Sequence, residues 1–380
     1  MSETQSPTRW AWANVDLDAY VHNLAVLKTM VAPSGVWAVV KADAYGHGAV
    51  PISHAAVAAG IDGLCVAITA EGIELRHAGI EAPVLIFSEQ PIDEIDSIVR
   101  YRLTATVYRI SYVDALADAV RRLGSARLDV HVKVDTGMHR VGVDPADLPA
   151  LVARIHANDD ALRLAGVYTH FAAADTPGHP TNRSQSQRFA AALDAIGPLD
   201  DSVAVHAVNS AGAMSMPDER RDFVRVGIAT YGVVPGDGVV EHCGNLRQVM
   251  SLHARVSRVQ RLAAGEGVSY GHRFVTTAPT SVATLPIGYA DGVPRRLWSQ
   301  GGEVLIRGRR RPIIGVVTMD QLMVDCGDDK VEVGDEAVLF GSQDGETIRS
   351  EDWARALDTI GYEITCGISP RVPRRYARSV

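Results

Sequence analysis

The chain has 380 residues, of which 47% are hydrophobic and 22% charged, with 34 Gly and 18 Pro. That composition excludes disorder, collagen and coiled coil, and at about 150 residues per domain the length fits two domains or one large barrel with an appendage. The net charge of -8 argues against a dedicated nucleic-acid binder, which usually carries a basic face.

Between about residues 36 and 227, short apolar runs alternate with helical patterns. Strands are expected over 36–41, 64–67, 84–87, 104–107, 128–134, 164–170, 203–208 and 223–226. Helices are expected over 69–76, 111–123 and 182–196, each followed by a glycine (Gly79, Gly124 and Gly197) that marks a helix end. Eight strands alternating with helices read as a (β/α)8 barrel of the TIM type, with a doubly wound open sheet as the alternative. No GxGxxG follows the first strand, which counts against a dinucleotide-binding version.

After about Asn245 the rhythm changes to β-branched runs at 249–262, 281–286, 303–306, 312–317, 322–325 and 336–340, with one helix at 350–357. Gly, Pro and Asp separate the runs, as in a mostly β domain. The expected division is a barrel over 1–245 and a β domain over 246–380. Arg309, Arg310 and Arg311, and the pair Arg374 and Arg375, are expected on a solvated or ion-paired surface. Cys65, Cys243, Cys326 and Cys366 are scattered with no zinc or disulfide spacing, so a reducing compartment and no metal are expected. The first twenty residues lack the apolar core of a signal peptide. No run of about 18 apolar residues occurs, so no membrane helix is expected. A cytoplasmic protein is the expectation.

Reactive residues of a (β/α)8 barrel stand at the C-terminal ends of its strands. Lys41 closes the first expected strand, Lys133 and Asp135 the fifth and His170 the sixth; Asn209 and Ser210 follow the seventh, and Arg225 and Gly227 close the eighth. A lysine ending an apolar run can simply be a surface lysine, but the convergence of these positions on one mouth favours a site. The small residues from Asn209 to Ala213, and the amides of Gly227 and Ile228, suit a phosphate. A lysine beside a phosphate cradle suggests pyridoxal phosphate, whose aldehyde forms a Schiff base with an amine.

Eight sequence blocks then carry a resemblance. VVKADAYGHG at 39–48, VDTGMHRVG at 134–142, NSAG at 209–212 and RVGIATYG at 225–232 lie in the barrel. SYGH at 269–272, LPIGYADG at 285–292, TMDQ at 318–321 and YEITCGISPRVPRRY at 362–376 lie beyond it. In order and over nearly the whole chain they resemble the alanine racemases, pyridoxal-phosphate enzymes built as a barrel followed by a β domain. Val226 and Val317 depart from common family residues, at positions that are not catalytic.

The resemblance implies interconversion of L- and D-alanine through a pyridoxal 5'-phosphate aldimine by a two-base mechanism, supplying D-alanine for peptidoglycan. It implies Lys41 as the Schiff-base lysine and base for one face, and Tyr270 as the phenol serving the other. His170 is implied as the helper of that phenol, since a free phenol has a pKa near 10, and Arg225 as the partner of the pyridine nitrogen. Tyr45, Asn209, Ser210, Gly227, Ile228 and Tyr362 are implied as further cofactor contacts, and Arg140 and Met319 as substrate-carboxylate contacts. Tyr289 and Asp320 are implied at the narrow substrate passage, and Lys133 as a lysine open to carbamylation, the alternative being an ordinary lysine paired with a carboxylate. A homodimer with shared sites is implied, because Tyr270, Tyr289 and Met319 reach the second subunit's barrel in the family. The rivals are a serine or broad-specificity racemase of the same fold, a barrel-type decarboxylase, and a non-catalytic cofactor-binding protein. Arg225, Tyr362 and the long second domain argue against them.

Overall fold

A computed structural model describes residues 9–377. The first eight residues, part of the segment read above as lacking a leader, and the last three lie outside it. The chain divides into two compact units. One comprises residues 20–44 and 49–246; the other comprises residues 1–19, 45–48 and 247–380.

The first unit contains the eight parallel strands expected: Gly35–Val39, Gly63–Val66, Val84–Ile86, Ala105–Val107, Leu128–Lys133, Leu162–Tyr168, Ala204–His206 and Phe223–Val226. They form two four-stranded sheets, and main-chain bonds join the sheets at both seams. Ile86 N donates to Thr104 O at 3.0 Å, and Thr104 N to Val84 O at 2.8 Å; across the other seam Arg225 N donates to Val208 O at 3.1 Å. The sheet therefore closes on itself, which removes the open-sheet alternative and leaves no exposed edge. The strands are nearly continuous apolar runs because helices cover the barrel. Helices Thr69–His77, Ile110–Leu123 and Pro180–Ile196 stand where expected. Gly124 ends the second in the left-handed conformation, φ 60°, where a glycine carries no Cβ penalty.

The second unit is built on a ten-stranded sheet. The expected run over 249–262 is two strands, Met250–Arg255 and Arg258–Leu262, because the chain turns at Val256 and Ser257 to join different neighbours. The Ala11–Asp16 strand pairs antiparallel with Met250–Arg255 and parallel with Arg374–Ala377. Alternate residues of these strands, among them Ala11, Ala13, Leu252 and Ala254, face one apolar core with Leu305, Val338 and Trp353, the period of two expected of a half-buried sheet. Arg309 and Arg311 pair with Asp329, and Arg310 with Glu303 and Glu346. Arg374 instead donates to the main-chain oxygens of Gly46, Ile368, Ser369 and Val372, tying the C-terminal segment to a loop.

Candidate active site

The barrel mouth gathers Lys41, Lys133, Arg140, His170, Asn209, Ser210 and Arg225. Lys133 is the last residue of its strand, whereas Lys41 and His170 lie two residues past theirs, so the expectation that they end strands is corrected by that margin. The shift at Lys41 has a local cause. Ala42, Asp43, Ala44 and Tyr45 all have φ between 52° and 55°, and Gly46 has φ 82°. Lys41–Gly46 is thus one turn of left-handed helix, and Ala44 N still donates to Val40 O at 2.9 Å. Left-handed backbone costs roughly 1–2 kcal/mol per L-residue, so the surroundings must hold it. Glu71 accepts from Ala42 N at 2.6 Å, and Asp43 accepts from Ala49 N at 2.7 Å. A Cβ at Gly46 would stand 2.2 Å from Thr365 O.

Arg225 is 2% exposed. Its Nη2 donates to Thr169 O at 2.9 Å and Ala207 O at 2.8 Å and lies 3.1 Å from His170 Nδ1, while Nη1 lies 2.7 Å from His206 Nδ1. The Tyr168 ring lies 5.1 Å from the guanidinium carbon. Burial lowers the guanidinium to about 10, which leaves it protonated at neutral pH. A guanidinium only donates, so His170 and His206 must both present Nδ1 as acceptor and carry their proton on Nε2. Their own values agree, since burial and then the Arg225 charge hold both imidazoles well below the usual range. His206 Nε2 in turn meets His131 Nδ1 at 3.0 Å, and burial pushes His131 down to about 4. The chain of donors therefore runs outward from Arg225 through His206 to His131, with His206 stacked between Tyr168 at 4.5 Å and Phe223 at 4.2 Å. His131, His206 and Tyr168 were not singled out in the sequence. The available signal was a histidine inside an apolar strand pattern, at LDVHVK and VAVHAV.

Lys133 is 4% exposed. Burial, then the Arg140, Arg225 and Lys41 cations, pushes its ammonium down to about 7. Asp135 does not turn to it. Its Oδ1 accepts from Gly137 N and His139 N, both at 3.0 Å. These amides outweigh burial and hold that carboxyl below its usual value. Among the described residues Asp135 Oδ2 approaches the exposed His139 Nδ1 at 3.5 Å and makes no ion pair with Lys133. Arg140 is exposed on the same loop. Asn209 caps the Ser210–Ser215 helix by accepting from Gly212 N at 3.0 Å, and its amide nitrogen lies 3.4 Å from His170 Nε2. Ser210 Oγ accepts from Gly227 N at 2.9 Å, so hydroxyl and amide lie side by side, with Ile228 starting the turn that follows. The donor set is several cations, a hydroxyl and amides around an amine. It fits a group that carries a phosphate and an aldehyde.

The remaining expected residues lie in the second unit. Tyr270 is 71% exposed in a short turn. Ser269, at φ 64°, anchors that turn by donating to Val316 O at 2.6 Å. A groove of about 760 Å³ beside Tyr270 is lined by Arg258, Gln260, His272, Thr318 and Gln321 among others. Met319 is 51% exposed, and Tyr289 is also exposed. Asp320 accepts from Arg371 at 2.6 Å. Tyr362, on the Gly361–Cys366 helix, has its ring 6.0 Å from that of Tyr45. Among the described residues no cluster of His, Cys, Asp and Glu would hold a metal, and no helix is long and apolar enough to cross a membrane.

Comparison with known proteins covers both units. The family profile described as "Alanine racemase, N-terminal domain" matches residues 15–235, and that described as "Alanine racemase, C-terminal domain" matches residues 249–376. The alanine racemase of Symbiobacterium thermophilum is 46% identical, covering 97% of each chain. That of Thermobifida fusca is 41% identical over 98% of this chain and 99% of its own. Among solved structures, alanine racemase from D-cycloserine producing Streptomyces lavendulae superposes with a TM-score of 0.92 at 39% identity, covering 99% of both chains. The Bacillus anthracis alanine racemase with bound L-Ala-P superposes at 0.90 and 36% identity, over 98% of this chain and 96% of that one.

Proposed function

The chain belongs to the alanine racemase family and is an isomerase, and from that premise we propose that it interconverts L- and D-alanine using pyridoxal 5'-phosphate held on Lys41. When bound, the cofactor supplies a conjugated ring that accepts the electron pair left when the substrate Cα loses its proton. The observation that carries the reading is the Lys41 amine at a barrel mouth whose buried cation, Arg225, has only neutral hydrogen-bond partners among the described residues.

Arg225 Nη2 and Nη1 are already committed to carbonyl oxygens and imidazoles, which fix the plane of the guanidinium. Because it stays protonated near neutrality, it offers the pyridine nitrogen a donor rather than the acceptor a carboxylate would be. Such a donor would favour an unprotonated ring nitrogen, so Arg225 would leave the bound group a modest electron sink, suited to a proton exchange rather than to side reactions. Ser210 Oγ, the Gly227 and Ile228 amides, Asn209, Tyr45 and Tyr362 would hold the phosphate end. Lys41 Nζ takes or returns the Cα proton on one face and Tyr270 Oη does so on the other. His170, its Nδ1 facing Arg225, would offer Nε2–H to that phenol. Arg140 and Met319 hold the substrate carboxylate, and Tyr289 and Asp320 narrow the passage.

Tyr270, Tyr289 and Met319 are exposed on the single chain, which supports a homodimer in which each copy lends its Tyr270 to the other. The D-alanine produced would feed peptidoglycan synthesis in the cytoplasm. Barrel residues within 1–245 would carry the cofactor, and residues 246–380 the second base. Lys133 is proposed to be carbamylated. An ammonium held near 7 is partly neutral at physiological pH, as reaction with CO2 requires, and the resulting anion would accept from Arg140 where Asp135 does not. Intact-mass analysis of freshly purified enzyme should show one added CO2, absent in Lys133→Gln.

The purified protein should show the visible band of a Schiff base, lost in Lys41→Ala, and borohydride should fix the cofactor to the Lys41 peptide. A fixed adduct in Lys41→Ala would sink the assignment. Production of D-alanine but little D-serine would separate this reading from the broad-specificity racemase, against which the retained Tyr362 stands.

A further inference from the structure

The two turns that present Tyr289 and Met319 belong to no sheet, yet they are locked together. Tyr289 N donates to Thr318 O and Ala290 N to Met319 O, both at 3.0 Å. A Cβ at Gly288 would lie 2.3 Å from Thr318 O and 2.5 Å from Met319 O, so only glycine lets the turns approach. Beneath them lies Asp291, with no exposure at all. Its Oδ2 accepts from Gly288 N at 3.0 Å and meets Arg9 Nη2 at 2.7 Å, and its Oδ1 faces Arg371 Nε at 3.3 Å. Arg371 then reaches out of the core, and its Nη2 donates to Asp320 Oδ1 at 2.6 Å. Its own main chain is held as well: Arg9 Nη1 donates to Arg371 O at 2.6 Å, and Ser369, whose N donates to Asp291 O at 3.1 Å, accepts from Arg371 N at 3.3 Å.

We propose that Arg371 is a positioning residue, a strap between the buried carboxylate under the Gly288–Asp291 turn and the exposed carboxylate on the Thr318–Gln321 turn, which sets where Met319 and Asp320 stand toward the substrate. An exposed ion pair contributes little alone, because two long side chains must be ordered to make it. Here part of the order exists beforehand. Arg9 and Ser369 hold the Arg371 peptide, and the buried Asp291 charge draws the guanidinium to an ion pair at 3.3 Å without a hydrogen bond, so the bond to Asp320 has mainly the short Asp320 side chain and its turn to hold. As a strap, Arg371 would act on the turn and touch neither substrate nor cofactor. The part concerning substrate rests on the proposed racemase reading; the part concerning the turn does not.

The test takes the cofactor-loaded enzyme as wild type, Arg371→Ala, Arg371→Lys, Asp320→Ala and the double Ala variant. It measures amide hydrogen exchange over residues 316–323 without substrate, together with KM and kcat for both alanine isomers. Loss of one charge-assisted bond predicts exchange faster by about tenfold in that segment, and KM higher by about tenfold with kcat within about threefold. Arg371→Lys should recover part of both, since an ammonium reaches one carboxylate at a time. The double variant should be no worse than the larger single one, because both cut the same link. Asp320→Ala cuts that link without uncovering Asp291, so a misfolded Arg371→Ala still leaves the test standing. Unchanged exchange in Asp320→Ala, or multiplied effects in the double variant, would overturn the strap. Faster exchange with unchanged KM would overturn its bearing on substrate. If the wild type does not turn over alanine but the exchange changes appear, the strap holds and the racemase reading fails.

Discussion

His206 bridges a permanent donor, Arg225 Nη1, and an acceptor, His131 Nδ1, and it can do both only as the neutral Nε2–H tautomer. This gives the residue a measurable signature. In the unfolded chain a histidine takes up its proton below about 6.5, whereas in the fold His131, His170 and His206 resist it. The unfolded state therefore binds more protons as the pH falls below that point, and stability must fall with it, by about 1.4 kcal/mol per pH unit for each histidine kept neutral. Glutamine at 206 can accept from Arg225 and donate to His131 while binding no proton. Denaturant unfolding between pH 5 and 6.5 should show a shallower loss of stability in His206→Gln than in the wild type; equal slopes would contradict the neutral assignment. The proposed face-specific bases give a second test. Tyr270→Phe should slow removal of the Cα proton of L-alanine by about 10²–10⁴ and that of D-alanine much less. Deuterium wash-in from solvent reads each isomer separately, and an equal fall in both would remove Tyr270 from one face.

The turn Lys41–Gly46 is the element on which the proposed site depends most directly, and its handedness reverses the usual rule for glycine. In a right-handed helix an exposed Ala→Gly change destabilises by about 1 kcal/mol. In a left-handed turn the alanine methyl is itself the strain, so Ala42→Gly should be neutral or stabilising by up to about 1 kcal/mol. Ala42 is exposed, so no cavity confuses the comparison, and thermal unfolding of the loaded enzyme reads the sign. A clear destabilisation would show that the left-handed turn is not what holds Lys41 in place. No period or propensity in KADAYG marks the reversal. Only Gly46 carries a local hint, and the other four positions are held by Glu71 from outside the turn and by the Asp43 side chain reaching from the turn to Ala49 N.

At the scale of the whole molecule the proposed dimer is the testable quantity. Lys41→Ala lacks one base and Tyr270→Phe the other. If each site takes Lys41 from one copy and Tyr270 from another, mixing the two inactive variants should restore one intact site in each mixed dimer. Absence of activity after subunit exchange, verified by mass spectrometry of differently tagged chains, would place both bases in a single chain.

The eight barrel strands were legible in the sequence because strands buried on both faces must be short apolar runs. The β domain was legible because its runs are short, β-branched and cut by Gly and Pro. The residues proposed for chemistry were legible as blocks, since Lys41, Arg225, Tyr270 and their neighbours sit in short contiguous segments. What the sequence could not decide is whatever depends on contact between distant segments. The Ala11–Asp16 strand is a partner of strands more than two hundred residues away, and its own pattern does not say so. His131 and His206 became a relay only when closure of the barrel set them 3.0 Å apart. Arg371, unremarkable within PRVPR, meets two carboxylates only because folding buried Asp291 beneath one turn and left Asp320 on the next. Local pattern records which face of a segment must leave water; the pairing of charges and donors is settled by which faces then meet.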